Sequence, residues 1–134
     1  MLNKIYGKIV TQKKTIYEPW PEEIRVNRDG KTLKVLFDNG EEYVISSEIL
    51  RVESPSAEVQ GHGLGEKITV PGKSQVLILG VEQVGNYAIR IRFDDLHDTG
   101  IYSWRYLYQV GTDQKKLTEK YLARLAMEGL SRHP

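Results

Sequence analysis

The stretch EEIRVNRDGKTLKVLFDNGEEYVIS, Glu22 to Ser46, constrains the fold more than any other part of the chain. Ile24 and Val26 alternate with Arg25 and Asn27, and Leu33, Val35 and Phe37 repeat the same two-residue period. That period places the apolar residues on one face of a pleated strand. Asp29-Gly30 and Asn39-Gly40 interrupt the pattern with residues that accept a tight turn, and Tyr43 and Ile45 resume it. Three strand-like segments joined by two short turns make an antiparallel meander.

A second β region is expected from Gln75 to Trp104. VLILGVEQV is nearly continuous in apolar residues at its start and reads as a central strand. Gly85-Asn86 makes a turn, after which Tyr87, Ile89, Ile91 and Phe93 face one way. DDLHDTG then leads to Ile101-Tyr102-Ser103-Trp104, read as the next strand. Between the two β regions, Ser46-Ser47 opens a short helical segment. Ser54-Pro55 repeats the signal as an N-cap with proline at the first helical position, and Gly61 ends that second helix. Leu117, Tyr121, Leu122 and Leu125 share one face of a closing helix, with Gly129 at its C-terminal end. The expected fold is therefore α+β, with an antiparallel meander, a second antiparallel region, short helices and a C-terminal helix. Residues 1–20 read as an N-terminal arm, 21–130 as the domain and 131–134 as a tail.

Composition narrows the chemistry. The 134 residues suffice for one core, and a net charge of +1 gives no field that calls for nucleic acid or anionic lipid. There is no cysteine, which removes disulfides, thiolate metal sites and cysteine nucleophiles. No run approaches the roughly 20 apolar residues of a membrane span, and the N-terminal segment lacks a secretory pattern. A cytoplasmic protein without membrane or nucleic-acid partners is expected.

Few residues carry candidate chemistry. GHGLGE, Gly61 to Glu66, is glycine-rich but lacks the spacing and βαβ context of a phosphate loop, so it reads as a connector. No G-x-S-x-G elbow surrounds Ser54, Ser56 or Ser103. His97 sits among Asp94, Asp95 and Asp98, and with His62 these could supply two imidazoles and a carboxylate to zinc or iron if their loops converge. The alternative is that Asp95 or Asp98 caps a turn and His97 bonds to backbone. Tyr102, Trp104, Tyr106 and Tyr108 alternate along one segment, either as core residues with polar tips or, where exposed, as a partner surface.

Three stretches together resemble a known family: FDNGEEYVISSEILRVESPSAEVQGHG, then VPGK, then VEQVGNYAIRIRFDDLHDTGIYSWRYLYQVG. The chain resembles the gamma-butyrobetaine hydroxylase-like N-terminal domain over about Pro21 to Leu125, in its stand-alone bacterial form. In the hydroxylases this domain precedes an iron/2-oxoglutarate barrel and holds a zinc through a C-P-C-x-x-C stretch and one histidine. The resemblance places Ser54, Ser56 and Val59 at the thiolate positions and His97 at the imidazole position. With the barrel missing, the resemblance does not carry hydroxylase activity, and the balance is against an enzyme. Similar domains fused to Mrp-type iron–sulfur carrier ATPases imply a protein partner of that kind. The function expected is a non-catalytic binding or adaptor module, accessory to iron–sulfur or metal-enzyme maturation. The alternative is a metal-binding protein or metal-dependent oxidoreductase component built on His97 and nearby carboxylates.

Overall fold

The computed structural model describes residues 3–5, 8–10, 18–61 and 67–134. Among the described residues the fold is α+β: a five-stranded and a three-stranded antiparallel sheet with four helices. The first sheet runs in the order β1 (Asn3–Ile5), β2 (Lys8–Val10), β3 (Pro21–Val26), β4 (Thr32–Phe37) and β5 (Glu42–Ser46). Residues 3–5 and 8–10, read from sequence as part of an arm, extend the edge of this sheet, with Lys8 opposite Arg25 and Ile9 opposite Ile24. Leu33, Val35 and Phe37 on β4 are fully buried, as the two-residue period requires. The β4–β5 turn is a three-residue loop closed by Phe37 N donating to Glu41 O at 2.8 Å, with Gly40 at φ +86°. That left-handed position is where glycine avoids the Cβ clash.

The second sheet has the order β6 (Ile78–Val84), β7 (Ala88–Phe93) and β8 (Ile101–Ser103). The apolar run on β6 was expected at the centre, but β7 is the central strand and β6 lies at an edge. Solvent on one side accounts for Leu79 being exposed between the buried Ile78 and Val81. On β7, Ala88, Ile89, Ile91 and Phe93 are all buried.

Two short helices connect the sheets. In α1 (Ser47–Val52), Ser46 Oγ accepts from Ile49 N at 3.1 Å, the N-cap expected from sequence. The second helix, α2 (Ala57–Gln60), starts after Ser56 and ends at Gly61 with φ +75°. Ser54 does not cap it, because its hydroxyl is turned toward His97. Trp104, read as a strand residue, instead begins α3 (Trp104–Thr112), where Ser103 Oγ accepts from Tyr106 N at 3.1 Å. The cap converts the alternating aromatic run to helical spacing, burying Trp104, Leu107, Val110 and Gly111. A Cβ on Gly111 would meet Tyr43 Cγ at 2.7 Å, so glycine is what lets α3 approach β5.

The closing helix, α4 (Gln114–Met127), buries Tyr121 and Leu125. Its C-terminus forms a Schellman motif: Leu130 N donates to Leu125 O, and Gly129 N to Ala126 O, with Gly129 at φ +67°. Residues 131–134, read from sequence as a tail, are tied down. Gly72 N donates to Ser131 O, Ser74 N donates to Arg132 O, and Arg132 forms a two-pronged pair with Glu48. Buried residues from β3–β8, α1, α3 and α4 form one core cluster.

Candidate functional site

The acidic loop after β7 positions His97. Phe93 O accepts from Leu96 N at 3.2 Å and Phe93 N donates to His97 O at 3.0 Å. This is a three-residue hairpin loop of the kind seen at Gly40, but Leu96 occupies the left-handed position, at φ +71°. A leucine there costs about 1–2 kcal/mol relative to ordinary backbone. The turn leaves Leu96 in solvent and directs the His97 ring inward, where its side chain is 2% exposed and lies beside Phe93.

Two serines converge on that ring. His97 Nε2 is 2.8 Å from Ser54 Oγ and 3.4 Å from Ser56 Oγ. On its other side, Nδ1 is 3.2 Å from Glu58 Oε2, an ion-pair distance without an aligned hydrogen bond. These neighbours assign the proton to Nδ1 and leave Nε2 to accept from Ser54. Burial, and then the Arg51 guanidinium, push the His97 pKa down, against opposing pulls from Glu58 and Asp95, and favour the neutral ring. Glu58 is fixed in turn by Thr99 Oγ1, which donates to its Oε1 at 3.0 Å. Gly100 closes the cluster, since a Cβ there would lie 2.3 Å from Ser54 Oγ.

Hydroxyl, imidazole and carboxylate here stand in the order that activates a serine nucleophile. Ser54 is nevertheless wholly buried. A cleft of about 260 Å³ is bounded by Gly72, Lys73, Asp94 and Asp95, and another of about 340 Å³ by Glu53, Tyr106, Gln109 and Asp113. Ser54 and His97 line neither. The cluster acts as a hydrogen-bonded pin between α2 and the β7–β8 loop.

The aspartates expected as metal ligands point elsewhere. Asp94 Oδ1 accepts from Leu77 N at 3.0 Å, and Asp98 is exposed. Asp95 Oδ2 is 2.7 Å from both Arg51 Nε and Lys73 Nζ, while Oδ1 accepts from His97 N at 3.1 Å. Although burial pushes the Asp95 pKa up, the bonds from Lys73 and Arg51 outweigh it and hold the carboxyl down at about 2. His62 lies outside the described residues. Among the described residues no three His, Asp or Glu side chains gather closely enough to hold a metal.

The zinc implied by the resemblance is not matched by the donors present. Zinc in such sites takes thiolate and imidazole ligands at about 2.0–2.3 Å. Ser54 and Ser56 offer neutral hydroxyls, with Ser54 committed to Nε2, and the buried Val59 offers no donor.

The aromatic run is mostly interior. Tyr102 and Trp104 are buried, so neither presents the partner surface expected of an exposed stripe. Tyr102 OH donates to Leu50 O at 2.5 Å and Trp104 Nε1 to Asn86 O at 2.9 Å. Tyr106 and Tyr108 are half-buried, their hydroxyls donating to Glu53 O and to the Glu41 carboxylate.

Residues 24–108 match the family described as gamma-butyrobetaine hydroxylase-like, N-terminal. The chain belongs to this family. Two solution NMR structures resemble this hydroxylase-like N-terminal domain. One has 42% identity and a TM-score of 0.77, covering 88% of this chain and 93% of its own. The other has 43% identity and a TM-score of 0.75, covering 92% of each chain. A third structure, of a DUF971-family protein of unknown function from Acidithiobacillus ferrooxidans, has 34% identity and a TM-score of 0.56. It covers 68% of this chain and 91% of its own. None of the curated proteins matches.

The resemblance to this family pointed to Ser54, Ser56 and His97, which come together. It did not point to Arg51, Lys73 or Glu58. Arg51 and Asp95 are 44 residues apart, and no local pattern links them. No described helix is long and apolar enough to cross a membrane.

Proposed function

We propose that this hydroxylase-like N-terminal domain is a non-catalytic binding or adaptor module of the cytoplasm. The observation that carries this reading is the closed state of its most chemically suggestive cluster. Ser54 is wholly buried and the His97 side chain is 2% exposed, so the hydroxyl and imidazole meet each other and not a substrate. A group that touches no ligand stabilises the fold, which leaves the outer surface to carry function. An accessory role in iron–sulfur or metal-enzyme maturation, with an Mrp-type carrier ATPase as partner, rests on the family resemblance alone. The metal-binding alternative loses support because, among the described residues, Asp94, Asp95 and Asp98 do not gather with the His97 imidazole into a group of donors that could hold a metal.

Native mass spectrometry with metal analysis of untagged protein tests the first half of this reading. The metal-free mass is expected. Stoichiometric zinc or iron that disappears in His97→Ala would overturn it. Affinity capture followed by reconstitution with the purified candidate ATPase tests the second half. A stable complex is expected, and the absence of any partner or self-association would sink the adaptor role.

A further inference from the structure

Residues 131–134 lie in a polar groove whose walls are fixed by other contacts. Gly72 N donates to Ser131 O and Ser74 N to Arg132 O, each at 2.9 Å, and His133 Nδ1 lies 3.2 Å from Ser74 Oγ. Arg132 Nε donates to Glu48 Oε2 at 3.0 Å, and its Nη2 donates to Oε1. Glu48 is buried, and among the described residues no other cation pairs with it. The loop wall is held separately. Tyr121 OH donates to Val70 O and Thr69 Oγ1 to Glu128 Oε2, both at 2.5 Å, and Lys73 pairs with Asp95 at 2.7 Å. The α1 wall is joined to the same loop by Ser47 Oγ, which donates to Val76 O at 2.6 Å.

The segment in the groove is attached by polar contacts alone. Ser131, His133 and Pro134 are exposed, the Arg132 side chain is 40% exposed, and no apolar side chain of the segment is buried. Leu130 N is bonded to Leu125 O in the Schellman turn, so the residues beyond can leave while α4 keeps its end. An attachment of a few solvent-facing hydrogen bonds opens well below the free energy of global unfolding.

We propose that this groove is a docking site for an extended, arginine-bearing segment of a protein partner, with residues 131–133 as its displaceable in-chain occupant. The proposal rests on the adaptor reading and supplies that reading with a surface and a means of regulating it. The seated segment defines the chemistry of the occupant. It offers main-chain carbonyls to Gly72 N and Ser74 N, and a guanidinium fork to the Glu48 carboxylate. A lysine would bring the charge without the two parallel N–H groups. A second copy of this chain would repeat contacts that the in-chain segment already makes at a far higher effective concentration.

The probe is the capped peptide acetyl-Leu-Ser-Arg-His-Pro-amide, titrated into the ¹⁵N-labelled full chain. Wild type should bind it weakly, because its own segment competes. Arg132→Ala frees the Glu48 carboxylate and should bind the peptide roughly tenfold or more tightly than wild type. Arg132→Lys keeps a cation beside Glu48 and should gain less. Adding Glu48→Gln to Arg132→Ala should abolish the gain, as should alanine in place of arginine in the peptide. Amide shifts should centre on residues 72–76 and α1. Thermal unfolding verifies that each variant folds, and the peptide should raise the Tm of Arg132→Ala.

Capture from a cell lysate separates docking from a merely structural strap. A protein retained more strongly by Arg132→Ala than by wild type, released by the peptide and lost on adding Glu48→Gln, is expected. Tighter peptide binding with no such protein would leave residues 131–134 a structural strap and overturn the proposal. Equal peptide binding by wild type and Arg132→Ala, or shifts centred elsewhere, would also overturn it. So would wild-type dimerisation abolished by Arg132→Ala, which would assign the groove to a second copy. A protein retained equally by every variant would remove this groove and leave the adaptor reading standing. Failure of all forms, wild type included, to retain any protein would count against the adaptor reading itself.

Discussion

Asp95→Asn is expected to destabilise the domain at neutral pH in a way that fades in acid. The wild-type carboxylate sits between Arg51 Nε and Lys73 Nζ, each 2.7 Å from Oδ2. Arg51 and Asp95 side chains are only 11% and 18% exposed, so solvent screens the pair weakly. The carboxyl pKa falls from 3.8 to about 2, and at roughly 1.4 kcal/mol per unit the ionised form contributes about 2 kcal/mol. Because the folded-state value is depressed, this contribution is fully present above the ordinary pKa of 3.8. It is lost as pH falls through 2, leaving a few tenths, roughly 0.4 kcal/mol, at that midpoint. Asparagine also deprives the buried Arg51 cation of the Asp95 carboxylate, and Arg51 Nη1 already has no hydrogen-bond partner among the described residues. The expected loss at pH 7 is therefore about 2–3 kcal/mol. Urea unfolding monitored through the buried Trp20 and Trp104 gives the value at pH 7 and again near pH 2. Equal stability of wild type and variant at pH 7, or a difference that persists unchanged in acid, would refute the electrostatic account.

Two further substitutions probe close contacts. Gly100→Ala should cost about 1–3 kcal/mol, because the new Cβ would lie 2.3 Å from Ser54 Oγ and 3.1 Å from Tyr102 Cε1. Adding Ser54→Ala removes the nearer clash, so a double-mutant cycle should be strongly non-additive, and simple additivity would disprove the contact. Gln114→Ala should expose the outer edge of β5, whose Ser46 N and Val44 O pair with the Gln114 amide at 2.8 and 3.0 Å. A loss of about 1 kcal/mol per bond is expected, with concentration-dependent association in sedimentation experiments. A variant that stays monomeric at high concentration would show that the amide does not guard the edge.

The residues of FDDLHDTGIYSW show where local pattern suffices and where it stops. Strand β7 was legible because Ile89, Ile91 and Phe93 obey a two-residue period that holds whatever packs against it. The following loop was legible as a turn, but the left-handed Leu96 was not, since leucine gives no signal for that backbone. The helix starting at Trp104 was misread because alternating aromatics fit a strand equally well. The Ser103 cap and the face buried by Leu107 and Val110 settle it in the folded chain.

By itself, then, the sequence determined the antiparallel meander, the turns at Gly30 and Gly40, and the N-cap of α1. All of these depend on neighbours within a few residues, where side-chain period and backbone freedom act directly. Only the tertiary structure decided that β6 would be an edge strand and that residues 131–134 would dock on the 72–74 loop. It also decided that Ser54, Ser56 and Glu58 would surround His97 while Asp95 turned to Arg51 and Lys73. Those contacts join residues some 20 to 60 positions apart, and their energies come from burial and charge pairing that arise only once the two sheets share a core.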